Sequence, residues 1–189
     1  MTLEQKLVEF VRCSPRVMTV LKIARAANLP DWRLVAGSIY GTVWNALSGK
    51  SLDYGIKDYD ICYFDPDTSW EAEDIWIKTV AALTPPDLLP VVEVRNQARV
   101  HLWFSDKFGG EYLPLSHTDE ALTRYLCKSD AVAVRLEHDD TLSVAAPFGL
   151  DDVFDMVMRP NAQRGATPNR AAKVASVTAR WPQVKYEDI

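Results

Sequence analysis

Two aspartates separated by one residue, Asp58 and Asp60, are the most distinctive chemical feature of the sequence. They stand at the start of the apolar run 59–64, which has the length of a β-strand. Because alternate residues of a strand face the same side, both carboxylates can bind one divalent cation while Tyr59 faces away. The spacing therefore predicts a site for Mg²⁺ or Mn²⁺. The same pair also occurs as a solvated strand end or a cap, so the pattern needs a second signal.

A Gly-Ser pair supplies that signal twenty positions earlier in the chain. Gly37 and Ser38 follow the apolar run 32–36 and precede a run with helical spacing at 39–47, which predicts a strand-to-helix turn. The free N–H groups and the dipole at the start of a helix attract phosphate. A Gly-Ser pair alone is typical of an ordinary turn. Followed by a helix and by Asp-x-Asp, it predicts a phosphate site beside a metal site.

Glu93 is the candidate third carboxylate, because it lies between two valines in a predicted strand at 90–94 and must face either a polar site or solvent. Three carboxylates beside a phosphate site suit two Mg²⁺ ions and an in-line attack on the phosphorus of a nucleotide. Arg95 and Arg99 can hold a triphosphate or the acceptor, because guanidinium groups match phosphate oxygens. The alternative is an ion pair with Glu93 or with a neighbouring acid.

The elements that position these residues alternate along the first half of the chain. A capping box at Thr2 and Gln5 predicts a first helix, and Ser14 with Pro15 predicts the start of a second one. Strands are predicted at 32–36, 59–64 and 90–94, with helices at 39–47 and from a capping box at Thr68 to residue 83. This alternation indicates an α/β core.

The second half of the chain gives weaker signals. Residues 99–104 fit a strand or a helix, and 118–126 fit a short helix. Residues 131–136 and 141–145 flank a polar tetrapeptide and predict a hairpin. Asp151 is expected to cap a helix that reaches residue 158, and Asn169 is expected to cap a last helix that ends before Pro182.

Composition favours one ordinary globular domain. The 189 residues are 48% hydrophobic and 25% charged, without an apolar run that could span a membrane and without a signal peptide at the N-terminus. Three cysteines without a CxxC pair indicate a reducing compartment, so a cytoplasmic protein without a zinc site is expected.

The net charge of -5 is unevenly distributed, because residues 156–186 contain six Lys or Arg and no acid. We expect this basic segment to dock on the acidic remainder of the chain, although it can also attract phosphate or nucleic acid. General binding of duplex nucleic acid is not expected from so acidic a chain. The three histidines have no ligand spacing. Four tryptophans are expected in the core rather than as stacking surfaces for bases: Trp44, Trp70, Trp76 and Trp103.

The ordered motifs resemble the DNA polymerase β-type nucleotidyltransferase superfamily, whose pattern is an apolar residue, Gly, Gly or Ser, a helix and acid-x-acid. A similarity over nearly the whole chain extends to a largely uncharacterised bacterial nucleotidyltransferase-like family. It rests on the strings at 43–47, 55–60, 69–74, 95–103, 146–152 and 159–161.

This resemblance implies a mixed α/β (α+β) sheet flanked by helices. It divides the chain into an N-terminal helical pair at 1–30, a nucleotidyltransferase core at 31–105 and a C-terminal α+β extension at 106–189 that packs on the core as one structural domain.

The resemblance also implies roles for individual residues. Gly37 and Ser38 would hold the β- and γ-phosphates of an NTP, Asp58 and Asp60 would bind Mg²⁺ (or Mn²⁺), and Glu93 would bind the metal near the acceptor or act as a base. Three other acids compete for the third place: Asp65, Asp67 and Asp106.

The sequence therefore predicts an enzyme that transfers a nucleoside monophosphate from an NTP to a hydroxyl acceptor, which can be a small molecule, a protein side chain or an RNA end. The first rival is a nucleotide-binding regulatory module that keeps the acids without turnover. The second is a glycosyltransferase, which also uses Asp-x-Asp but does not need Gly-Ser one helix earlier. No membrane partner is expected.

Overall fold

The computed structural model describes residues 1–164 and 168–188, and it begins with two helices. Helix α1 (Leu3–Cys13) has the predicted capping box, in which Thr2 and Gln5 satisfy each other's backbone N–H groups. Helix α2 (Pro15–Ala26) begins with a proline, whose missing N–H is not needed in the first turn. Ser14 occupies the N-cap position of α2, but its side chain makes no capping hydrogen bond.

A five-stranded mixed sheet is the centre of the fold, with the order β3-β2-β1-β4-β5. Only β2 and β3 are parallel to each other, and the other neighbours are antiparallel. The strands are β1 (Arg33–Val35), β2 (Tyr59–Tyr63), β3 (Val92–Asn96), β4 (Ala133–Leu136) and β5 (Leu142–Ala145). The predicted α/β class and the hairpin at 131–145 are confirmed. Strand β3 begins two residues later than predicted because the N–H groups of Val91 and Val92 donate to Leu88 in a turn.

Helices cover the sheet. They are α3 (Gly37–Leu47), α4 (Trp70–Leu83), α5 (Val100–Phe108), α6 (Asp151–Phe154) and α7 (Pro168–Arg180). Four short 3₁₀ segments lie at Gln97–Arg99, Thr118–Arg124, Lys128–Asp130 and Ala162–Arg164. A small parallel pair, β6 (Val157–Met158) and β7 (Lys185–Tyr186), holds the C-terminus.

Several predicted helix ends are wrong for local reasons. The cap of α4 is Ser69 rather than Thr68, because the Asp67 carboxylate binds the Ser69 N–H and fixes the start of the helix one residue later. Helix α6 has no side-chain cap from Asp151 and ends at Phe154, because Met156 adopts a positive φ of 55° and the chain then enters β6. Helix α7 includes Asn169 instead of beginning after it.

The core is held together by aromatic side chains from both halves of the chain. Trp44 and Trp181 are fully buried, with ring centroids 5.5 Å apart, and Tyr40 packs 4.4 Å from Trp44. The Trp181 indole donates to the buried Asn45 Oδ1 at 2.7 Å, and the Trp44 indole donates to the Val153 carbonyl at 2.8 Å. The residue that follows α7 is therefore an integral part of the packing beneath α3.

The predicted core position holds for only some of the tryptophans. Trp44 is fully buried and Trp76 is partly buried against the core, but the side chain of Trp70 is 53% exposed and that of Trp103 is 37% exposed. The prediction of a core position is wrong for these last two, which lie at the start of α4 and on α5.

In the described part of the chain, no helix has both the length and the apolar character required to cross a bilayer.

Replacing Trp181 by Phe should lower the free energy of unfolding by about 1 to 3 kcal/mol, because the buried Asn45 carbonyl oxygen loses its donor. Urea unfolding of Trp181→Phe measures the loss. The matched control is Trp70→Phe at an exposed ring, which should change stability by less than about 0.5 kcal/mol. Equal losses in both variants would contradict the structural role of the Trp181–Asn45 bond.

Candidate functional site

The acidic residues meet because β2 and β3 are parallel and in register. Asp60 lies directly opposite Glu93, and Asp58 immediately precedes β2. The side chain of Tyr59, between the two aspartates, is buried in the core on the opposite face. The structure therefore brings Asp58, Asp60 and Glu93 to one end of the sheet, as their alternation on the strands predicts.

The surroundings of Asp60 favour its neutral form. Burial, together with the charges of Asp58 and Glu93, raises the pKa of Asp60 to about 7, against the opposing influence of Lys173 and Arg95. The opposing charges of Lys173 and Arg95 do not cancel this upward shift. Carboxylate oxygens with excess negative charge are the donors that a hard divalent cation prefers, so Asp58 and Asp60 fit the Mg²⁺ that the fold family implies.

Side-chain positions around this point are not those of a closed metal site. In the described ranges, no group of three or more His, Cys, Asp or Glu side chains surrounds a common metal position. Glu93 instead pairs with Arg95, with 3.2 Å between its Oε2 and the Arg95 Nη2, and both side chains are about half exposed. The ion pair with Glu93, which the sequence analysis gave as the alternative role of Arg95, is therefore present.

The turn between β1 and α3 directs the start of α3 towards the acids. Ala36 has φ 52° and ψ -115°, a conformation that glycine adopts readily and alanine rarely. Its N–H donates to the Val132 carbonyl, just before β4, at 2.8 Å, and its own carbonyl accepts the N–H groups of Ile39 and Tyr40. The neighbouring sheet and the first turn of α3 together hold this strained residue in place.

Gly37 and Ser38 lie at the first two positions of α3, where N–H groups have no partner within the helix. A Cβ at Gly37 would lie 3.8 Å from Asp58 Oδ1, so the missing side chain leaves open space beside that carboxylate. The Ser38 side chain is buried, and its hydroxyl donates to the Val35 carbonyl at 3.3 Å. The hydroxyl of Ser38 therefore faces the strand rather than the acids.

A cavity of about 210 Å³ lies between the start of α3 and helix α7. We refer to this cavity as the cationic cleft. Three positive side chains from two parts of the chain line it together with Asp58 and Asp60. Its complete lining is Ala36, Gly37, Tyr40, Lys57, Asp58, Asp60, Lys173, Ser176 and Arg180.

The cations of the cleft are fixed by contacts within the protein. Lys57 Nζ donates to the Ser176 hydroxyl at 2.9 Å, and Arg180 donates to the Gly55 carbonyl at 2.6 Å. Lys173 Nζ lies 3.2 Å from the fully buried Asp130 carboxylate. Burial alone would lower the pKa of Lys173, but the charge of Asp130 raises it above its ordinary value, so Lys173 stays positive.

The sequence analysis did not select Lys57, Lys173 or Arg180. The signal that could have identified the last two is the basic, acid-free segment 156–186. Its expected docking on the acidic body is confirmed by the Lys173–Asp130 ion pair, and the same docking turns Lys173 and Arg180 towards the acids.

Arg99 lies outside this group of acids. It forms an ion pair with the buried Glu73 and lies 5.4 Å from the ring centroid of Trp70. Its surroundings are a separate cleft of about 470 Å³, which Asp106 and the exposed rings of Trp70 and Trp103 also line.

The competing acids Asp65 and Asp67 follow the far end of β2, where their carboxylates bind N–H groups of the loop that leads into α4. Asp65 is five residues beyond Asp60, a distance of about 17 Å along a strand.

Comparison with known proteins identifies relatives of this fold. A family model described as nucleotidyltransferase matches residues 22–186. The chain is similar to a protein whose NMR structure reveals a CCA-adding enzyme head domain, with a TM-score of 0.77 and 26% identity over 98% of this chain and 96% of that chain. The nucleotidyltransferase-type fold predicted from the resemblance is thereby confirmed. No curated protein sequence matches the chain.

Two larger structures share the fold at lower identity. A tRNA nucleotidyltransferase complexed with a primer tRNA and an incoming ATP analogue has a TM-score of 0.55 and 19% identity, covering 89% of this chain and 46% of that one. A CCA-adding enzyme with ATP has a TM-score of 0.54 and 14% identity, covering 95% of this chain and 41% of that one. The present chain thus spans less than half the length of these two proteins.

The raised pKa of Asp60 predicts a pH-dependent gain in stability for Asp60→Asn in chelator-treated, metal-free protein. The unfolded chain releases this proton near pH 3.8 and the folded protein near 7, so the free energy of unfolding of the wild type falls as pH rises through that window. Asp60→Asn has no titratable group at this position, so its free energy of unfolding does not fall in this way. Thermal melts should therefore show Asp60→Asn more stable than the wild type by about 1 to 3 kcal/mol at pH 8 and equal to it at pH 4.

The matched control is Asp53→Asn at an exposed aspartate, which should follow the wild type at both pH values. A variant Asp60→Asn that is no more stable than the wild type at pH 8 would show that the acids do not repel one another as described.

Proposed function

The chain belongs to the nucleotidyltransferase family, and on that basis we propose that it transfers a nucleoside monophosphate from an NTP to the hydroxyl group of an acceptor, with Mg²⁺ or Mn²⁺ held at Asp58 and Asp60. Membership of this family makes the protein a transferase. The observation that carries the proposal is the cationic cleft, which places three positive side chains and the start of α3 against two carboxylates.

The triphosphate is assigned to the cationic cleft because of the charges there. Lys57, Lys173 and Arg180 bring three positive charges, and Gly37 at the start of α3 lines the same space. Together these groups complement a triphosphate, which carries several negative charges over a short length. In this assignment the backbone of Ser38 contacts phosphate, while its hydroxyl remains on the Val35 carbonyl.

The divalent cation, when bound at Asp58 and Asp60, supplies charge neutralisation for the phosphates and lowers the barrier to attack on the α-phosphorus. The acceptor oxygen forms a bond to the α-phosphorus as the bond to the β-phosphate oxygen breaks, and pyrophosphate leaves. Glu93, opposite Asp60, takes the proton of the acceptor hydroxyl. For this role Glu93 must break its ion pair with Arg95 and bind the acceptor hydroxyl instead. Both side chains of the pair are exposed, which permits this change of partner. Arg95 is then free to contact a phosphate or the acceptor.

The second candidate is a nucleotide-binding module without turnover, and the Glu93–Arg95 ion pair is the observation that favours it. Such a module needs only the cationic cleft and the paired aspartates. Cys13, Cys62 and Cys127 are all free thiols, which fits a reducing, cytoplasmic location. Such a location accords with either function.

Lys57→Gln should weaken binding of a non-hydrolysable Mg²⁺–NTP analogue about tenfold, since one charged contact to phosphate is lost. Lys57 is exposed at the rim of the cationic cleft, so the variant should fold normally. Isothermal titration measures the affinity. The matched control, Lys50→Gln, removes a lysine that lies over the Tyr54 ring and does not line the cleft, and it should bind like the wild type. Equal affinity of the wild type and both variants would show that the triphosphate does not bind in this cleft.

Glu93→Gln separates the two candidate functions. If the protein is an enzyme, the variant should bind Mg²⁺–NTP within a few fold of the wild type and should transfer nucleotide at least about 10² times more slowly, the scale of a lost general base. Transfer is measured as label that passes from α-³²P NTP to a component of cell extract. The control is Glu111→Gln, an exposed acid outside the site. Normal transfer by Glu93→Gln would exclude Glu93 as the base, and binding without transfer in the wild type would favour the module.

A further inference from the structure

Asp60 also borders a second space, which adjoins the cationic cleft at Ala36, Asp60 and Lys173 and extends from there towards α5. Two adjoining cavities of about 250 Å³ and about 200 Å³ lie there, and we refer to them together as the aromatic cavity. The residues that line both parts are Asp60, Phe104, Phe108, Arg124 and Tyr125. The cationic cleft is therefore continued past Asp60 by a space with aromatic walls.

Helix α5 supplies a preformed aromatic wall to this cavity. The ring centroid of Phe104 lies 5.2 Å from that of Phe108 and 4.6 Å from that of Tyr112. Phe104 is buried, whereas Phe108 is 44% exposed at the rim. A wall of packed rings with one accessible edge is suited to a flat ring of a ligand, because offset and edge-to-face contacts between aromatic rings are favourable.

Arg164 provides the cavity with a positive charge that the described residues leave unused. Its guanidinium lies 4.8 Å from the ring centroid of Phe104, and its Nε is buried without a hydrogen-bond partner in residues 1–164 and 168–188. The other basic residues of the cavity already have acidic partners. These pairs are Arg95–Glu93, Arg124–Glu120 and Lys173–Asp130. A buried donor without a partner is costly, and a ligand anion would satisfy it.

The position of the aromatic cavity relative to the acids fits the second substrate. The aromatic cavity meets the cationic cleft at Asp60 and Lys173, and beyond them it is bounded by α5 and by Arg95 of β3, two residues after Glu93. An in-line displacement requires the attacking oxygen and the leaving pyrophosphate on opposite sides of the α-phosphorus. A triphosphate in the cationic cleft therefore leaves the Glu93 side, with its aromatic cavity, to the acceptor.

We propose that the aromatic cavity is the acceptor site and that the acceptor is a small molecule with a flat ring, an anionic group and a hydroxyl. The ring packs on Phe104 and Phe108, the anion pairs with Arg164, and the hydroxyl is presented to Glu93 beside Asp60. This assignment rests on the proposed function. A small acceptor is favoured over an RNA end because the two parts of the cavity hold only about 250 Å³ and 200 Å³ and the chain carries a net charge of -5, which opposes a polyanion.

The test uses 1-naphthyl phosphate as a probe with a ring and an anion. Its binding is followed by fluorescence in protein saturated with Mg²⁺ and α,β-methylene ATP, which occupies the triphosphate site. The wild type should bind the probe under these conditions, and Arg164→Gln should weaken binding about tenfold. Phe108→Ala, at an exposed position that tolerates substitution, should weaken it several fold. The control Arg12→Gln, at an exposed arginine of α1 outside the cavity, should bind like the wild type.

Three results would overturn the proposal. The first is probe binding that is unchanged in Arg164→Gln. The second is loss of affinity for α,β-methylene ATP in Arg164→Gln as large as in Lys57→Gln, which would assign the cavity to the nucleoside of the NTP. The third is displacement of the probe by a single-stranded RNA hexamer at lower concentration than by unlabelled naphthyl phosphate, with the same dependence on Arg164, which would make the acceptor an RNA end.

Failure of the proposed function gives a different result. The wild type would then either not bind α,β-methylene ATP with Mg²⁺ or, as the module, bind it without transferring label from α-³²P NTP. Titration of naphthyl phosphate into the nucleotide-free protein would still report on the aromatic cavity through Arg164→Gln.

Discussion

Asp60 and Glu93 lie side by side on parallel strands, and Asp58 precedes the first of them, so three carboxylates share one end of the sheet. Their mutual repulsion must be offset by positive charges, and the positions of the basic side chains around them meet this requirement. Lys57 and Arg180 approach from one side, Arg95 pairs with Glu93 from the other, and α7 lies across the cleft that they form. Burial, together with the charges of Asp58 and Glu93, raises the pKa of Asp60 to about 7, and the same carboxylates would hold the divalent cation of the proposed function.

The sequence was sufficient to predict the parts of the site that are close together in the chain. Asp58 and Asp60 share a face because a strand has a period of two, and Gly37 begins a helix because a strand precedes it and helical spacing follows. The mixed sheet was predictable from the alternation of elements and from the resemblance. Glu93 was harder to assign, since only the register of β3 against β2 distinguishes it from Asp65, and register depends on contacts distant in sequence.

Other parts of the site could not be read from the sequence. Lys173 and Arg180 reach the acids because Trp181 is buried against Trp44 and sets the position of α7, a contact more than 130 residues apart. The unusual φ of Ala36 has no sequence signature, because alanine is compatible with strands and helices and the hydrogen bonds to Val132 and to the first turn of α3 that hold it form only in the folded protein. The exposure of Trp70 and Trp103 likewise depends on tertiary packing, which apolar spacing on a helix does not reveal.

The position of α7 also has a consequence during protein synthesis. Asp58 and Asp60 leave the ribosome more than 100 residues before Lys173 and Arg180, so a growing chain carries these carboxylates without the basic helix that lies beside them in the folded protein. Because Trp181, just after these cations, packs beneath α3, the docking of α7 completes both this part of the core and the cationic cleft. A nascent chain therefore lacks the complete cleft until α7 has docked, and under the proposed function a bound triphosphate would favour that docked state by mass action.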